Sequence, residues 1–138
     1  MSKKVVTSNR HVNFLNFGIF YGTCLFICGF GYDEMIVHFK KKKTPKGWVT
    51  AFEGTKELWD NSNGGFASKR YVDDVSYCFL VLRKQFDFTD YAHTILAHEV
   101  LHLVSFQLKD FLDPMVENEA FCYTHTHIMN QCYKILRS

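Results

Sequence analysis

Tyr77-Cys78-Phe79-Leu80-Val81-Leu82-Arg83 is the stretch on which the fold turns. Cys78, Leu80 and Leu82 alternate with Tyr77, Phe79 and Val81. Both sets are apolar, which predicts a strand buried on both faces. From Thr89 or Asp90 the period changes. Ile95, Leu96, Leu103, Val104 and Phe106 recur at helical spacing through Leu108. Phe111-Leu112-Asp113-Pro114 breaks that helix. A second helix is expected over residues 115–136, carrying Ala120, Phe121, Ile128, Cys132 and Ile135. A buried strand that feeds two C-terminal helices sets the class of the domain.

Upstream, residues 1–10 read as a loose polar tail. Residues 11–30 predict two strands, or one bent one, broken near Gly18 or Gly22. Asp33 is the expected N-cap of a helix over residues 34–43, with Lys40 to Lys43 complementing its C-terminal dipole. Thr44-Pro45-Lys46-Gly47 should end it as a turn. Residues 48–52 read as a strand, and 56–59 as a strand or one helical turn. Asn61-Ser62-Asn63-Gly64-Gly65 is a turn signal, with a return strand over 66–71. Strands come first and two helices last. The expectation is therefore one α+β domain spanning 1–138, with its helices on one face of a mostly antiparallel sheet.

The bulk numbers bound the function. One core fits 138 residues, and 47% hydrophobic with 17% aromatic residues argues against disorder. A net charge of +2 gives no case for a nucleic-acid surface. Cys24, Cys28, Cys78, Cys122 and Cys132 are odd in number and contain no Cys-x-x-Cys, which points to reduced thiols in a cytoplasm rather than to a disulfide framework. Residues 14–32 are nearly free of charge, as in an export signal or membrane anchor. Asn16 and four glycines interrupt them, and Phe, Ile, Tyr, Thr and Cys suit buried strands better.

The chemistry-bearing motif is His98-Glu99-Val100-Leu101-His102. Four-residue spacing on a helix puts both imidazoles on one face, able to share a metal. Zinc suits such nitrogens, and Glu99 beside it can accept a proton from water that the metal activates. The competing reading is two surface histidines flanking a solvated glutamate. A catalytic zinc needs a third protein ligand. Glu119 is the first choice and Glu117 the second, because the next helix can fold back against the first. Tyr123, one turn beyond Glu119, is a candidate hydrogen-bond donor to a substrate oxyanion, with core packing as the alternative. His125 and His127 point apart on a helix and make poor joint ligands. His93 lies off the ligand face, and Cys24 and Cys28 lack partners for a thiolate site.

The His98-Glu99-x-x-His102 motif followed by Asn118-Glu119 resembles the gluzincin branch of the zincin metallopeptidases. In length and layout the chain is more similar to short zincin-like proteins of bacteriophages and prophages. The resemblance covers residues 77–124. It implies that His98, His102 and Glu119 bind Zn2+ and that Glu99 is the general base. The gluzincin pattern has an aspartate four residues after the ligand glutamate, where this chain has Tyr123. The expected function is thus a zinc-dependent metallopeptidase acting on a peptide or protein. The alternative is a non-catalytic phage structural or interaction protein that retains the fold and metal site. The resemblance implies a cytoplasmic setting for either role, a host cytoplasm or a virion if phage-encoded, with export or membrane association as the alternative.

Overall fold

A computed structural model describes residues 10–18, 20–109, 112–113 and 117–138. The expected break at Phe111 and Pro114, and the first residues of the second helix, lie outside the described residues, as does the tail over 1–9. Four strands form one sheet: β1 His11–Phe17, β2 Phe20–Cys28, β3 Gly65–Val72 and β4 Val75–Leu82. Their spatial order is β1-β2-β4-β3. β1 pairs antiparallel with β2, β2 parallel with β4, and β3 antiparallel with β4. The break between β1 and β2 falls at Gly18, where φ is +72°, a conformation glycine adopts without strain.

Five helices complete the chain: α1 Tyr32–Lys41, α2 Lys46–Glu53, α3 Lys56–Asn61, α4 Asp90–Leu108 and α5 Asn118–Leu136. They cover both faces of the sheet, not one as expected. α4 and α5 pack on Cys24, Phe26, Cys28, Cys78, Leu80 and Leu82. Helices α1–α3 pack on Leu25, Ile27, Phe79 and Val81. The reason is in β2 and β4 themselves. Both are central strands with apolar side chains on each face, and each face must be removed from water.

Three local expectations are corrected. Helix α1 begins two residues early, at Tyr32, with Gly31 as its N-cap. Asp33 lies in its first turn, and Glu34 reaches back to accept the Gly31 N–H at 3.0 Å. Residues 48–52 are not a strand but the body of α2, which starts directly after Pro45, so the connection from α1 is Lys42 to Pro45 and Lys46 and Gly47 are already helical. Ala51, Phe52, Thr55 and Trp59 are all buried, at a spacing that follows the helical period across α2 and α3. Packing thereby overrides the strand preference of Trp48, Val49, Thr50 and Phe52. Of the two readings of residues 56–59, the helical one holds. Residues 14–32 become β1, β2 and the start of α1. Among the described residues no helix is long and apolar enough to cross a membrane.

Candidate metal centre

α4 positions the motif. Thr89 caps its start by accepting the Ala92 N–H at 3.2 Å, and Asp87 holds the Thr89 hydroxyl at 2.7 Å. Leu96, Val100, Leu103, Val104 and Leu108 then anchor one side of the helix in the core. That fixes the azimuth of everything else. His98 and His102 face outward and are exposed, whereas Glu99 is 9% exposed. The pattern thus divides into two accessible imidazoles and one buried carboxylate.

The imidazole Nε2 atoms of His98 and His102 are 3.1 Å apart. Tetrahedral zinc, with bonds of about 2.0–2.1 Å, sets neighbouring nitrogens about 3.3–3.4 Å apart. The rings lie at 82° to one another. Two nitrogens at this distance either share a proton or turn both lone pairs to a common cation. Glu99 Oε1 is 3.8 Å from His98 Nε2. Among the described residues, His98, Glu99 and His102 are the one group of three metal-capable side chains whose ligand atoms converge within 4.8 Å. The donor set fits a borderline cation such as zinc for two of its ligands.

Burial raises the Glu99 carboxyl above its ordinary range. The charges of His102 and His98 and the nearby Ala67 backbone N–H oppose that rise. Ala67 lies in β3, so the carboxylate sits against the edge strand of the sheet. Phe106, one turn after His102, stacks on it with centroids 6.0 Å apart and planes 17° apart. These two neighbours were missed by sequence reasoning. Phe106 was visible as the i+4 neighbour of His102. Ala67 left no local signal, because it is 32 positions away in the chain and is brought in by the sheet.

α5 runs antiparallel to α4. His93 meets the Tyr133 hydroxyl near one end, and His125 Nε2 lies 3.4 Å from the Ala97 carbonyl further along. The start of α5 is thereby directed toward the His102 end of α4. Glu119 lies in the first turn of α5 and is exposed, with Glu117 at its N-cap. Neither belongs to the converging group. Tyr123 stacks on His127 with planes 4° apart. Beside them is the β1–β2 turn, where His127 Nε2 lies 2.8 Å from Asn16 Oδ1. The structure therefore engages His93, His125 and His127 in contacts between elements, and it turns Tyr123 to the β1–β2 turn. Cys24, Cys28, Cys78 and Cys132 are buried thiols outside any disulfide, and Cys122 is exposed.

No family model matches this chain. No curated protein matches it, and no solved structure does.

Proposed function

We propose that the chain is a zinc-dependent hydrolase of peptide or amide bonds. The observation that carries this reading is the pair of exposed imidazole nitrogens 3.1 Å apart, with a buried carboxylate on the next residue. His98 and His102 would hold the metal, and Glu119 is the preferred third ligand because the antiparallel α5 brings its first turn toward His102. Zinc, when bound, acts as a Lewis acid that acidifies water and polarises a carbonyl. Glu99 takes a proton from water and hands it to the leaving nitrogen. Its carboxylate lies beside the two imidazoles, with Oε1 3.8 Å from His98 Nε2. The edge strand β3 offers main-chain groups to which an extended peptide can pair next to the site. The oxyanion role expected of Tyr123 has no support in its placement beside Gly18.

The test is Glu99→Gln. Hydrolysis of a general peptide substrate should fall by about 10²–10⁴-fold while zinc stays bound. Unchanged turnover would remove Glu99 from the reaction.

A second reading is a binding protein that keeps the metal site without catalysis. It is favoured by Glu119 standing outside the converging group and by Tyr123 at the position where gluzincins have an aspartate. One equivalent of zinc with no peptidase activity would select it.

A further inference from the structure

β1 is the other edge of the sheet, at the opposite end of the strand order from β3. At Asn16 its main chain turns away from β2. The Asn16 N–H donates to Gln131 Oε1 at 3.1 Å, and its carbonyl accepts Gln131 Nε2 at 2.8 Å. The register with β2 runs without a shift from His11 to Asn16. Antiparallel pairing alternates, so the main-chain groups of Val12 and Phe14 also face outward. Among the described residues no strand pairs with them. The Gln131 amide thus closes this edge at Asn16 and leaves it open over residues 11–14.

Val12 and Phe14 also form one wall of a groove of about 320 Å³. Leu25 and Phe39, both buried, are its floor, and Lys42 and Lys43 are its lip. No described lining residue is acidic. Lys40, Lys41, Lys42 and Lys43 are the densest run of positive charge in the chain, and all four are exposed. Among the described residues no carboxylate pairs with any of them. Their field is felt at His38, which burial lowers and the charges of Lys42 and Lys41 lower further. Lys43 holds φ +51°, while the next residue, Thr44, donates its N–H to the Phe39 carbonyl at 3.0 Å. Glycine usually fills that left-handed position. Here a lysine is kept in it, at a cost in backbone strain, and lines the groove. The β3 edge differs: Lys69 donates to the Phe106 carbonyl at 3.4 Å and Arg70 Nε to Ser68 Oγ at 3.1 Å.

We infer that the β1 edge docks an acidic segment of a partner protein as a fifth, antiparallel strand. Partner residues opposite Val12 and Phe14 would point their side chains to the same side as those two, over the groove. Glutamate fits both positions. Its methylenes cover Phe14 and Val12, and its carboxylate reaches Lys42 or Lys43. Nucleic acid or an anionic membrane could use the lysines, but neither would use the outward main-chain groups of β1. The inference goes beyond the hydrolase reading and does not depend on the metal.

The test uses the full-length chain and fluorescein-labelled peptides of about eight residues, rich in Val and Thr, with Glu, Gln or Lys at the same alternate positions. The Glu peptide should bind about tenfold more tightly than the Gln peptide at low salt, and the Lys peptide most weakly, with the gaps closing at high salt. Lys42→Gln combined with Lys43→Gln should abolish the Glu–Gln gap, whereas Arg70→Gln combined with Lys109→Gln should leave it. Methylating the Glu amide nitrogens, which face β1 in antiparallel pairing, should abolish binding. Methylating the intervening amides should not. Binding should be equal in chelator-treated protein and in zinc-loaded Glu99→Gln protein. Equal binding of the Glu and Gln peptides overturns the inference. So does a gap that survives the two lysine substitutions, equal loss from the two methylation patterns, or a requirement for zinc. Tighter binding of a single-stranded oligonucleotide or of phosphatidylserine vesicles overturns it as well. A chain that binds no zinc and hydrolyses nothing, yet binds the Glu peptide as stated, would remove the hydrolase reading and leave this one standing.

Discussion

The two faces of the sheet are built from different materials. Under α1–α3 the core is aromatic. Phe52 stacks on Tyr32 at 5.0 Å and meets Phe39, Trp59 and Phe79 edge-on at 4.9, 5.7 and 5.9 Å. Its buried polar groups are satisfied locally: the Thr55 hydroxyl donates to the Phe52 carbonyl at 2.6 Å and accepts the Trp59 indole N–H at 3.1 Å, and Ser68 Oγ accepts from Arg70 Nε at 3.1 Å. Under α4 and α5 the core is mostly aliphatic, with Phe17, Phe26 and Phe86 among its Leu and Val side chains and four thiols, and Glu99, Gln107 and Thr124 are buried on those helices. One face only packs. The other packs in its middle and holds the His98-Glu99-His102 group at its rim, where α4 meets β3. The opposite face meets its own few buried polar groups with local hydrogen bonds.

The comparison breaks most visibly at its aromatic hub. Phe52→Ala should cost about 3–5 kcal/mol of stability, since Phe52 is fully buried. Wherever the variant remains folded, its zinc content should equal that of the parent. Urea titration with metal analysis checks both. Loss of zinc from folded protein would show that the two faces are not separable.

That separability bears on what the sequence disclosed. β4 was legible because alternate residues had to serve two apolar layers, and α4 because its buried positions keep one period from Leu96 to Leu108. The same two-sidedness of β4 implied a second helical layer. Residues 48–52 hid it, since Trp, Val, Thr and Phe favour strands and the helical spacing shows only when Thr55 and Trp59 are counted with them. At the site, His98, Glu99 and His102 were legible because a helix brings close neighbours in sequence together. Ala67 was not, because the sheet alone brings it beside Glu99.

A smaller break is available on the α4 face. Gly22 has φ +127°, and a Cβ there would lie 2.5 Å from Gln107 Nε2. Gly22→Ala should cost about 1–3 kcal/mol through backbone strain and displacement of that amide. Thermal unfolding reads it, and an unchanged Tm would show that β2 relaxes freely at this point.

The smallest effect distinguishes the faces by pH. Burial pushes the Cys28 and Cys78 thiols from 9.0 up to about 11, opposed by a backbone hydrogen bond at Phe86 and by the Lys69 charge respectively. A thiol raised in the folded state stabilises fully below pH 9. That stability declines as pH rises toward about 11, by about 1.4 kcal/mol per pH unit for each thiol. The stability gap between the parent and Cys78→Ala should therefore shrink between pH 8 and pH 10. A constant gap would contradict the burial of this thiol.

The central claim is that His98 and His102 hold a metal ion together. Elemental analysis of the purified full-length chain after exposure to zinc tests it most directly. About one equivalent in the parent, retained in Glu99→Gln and lost when His98→Ala and His102→Ala are combined, is the predicted result. No zinc in the parent, or equal zinc with both histidines removed, would contradict it.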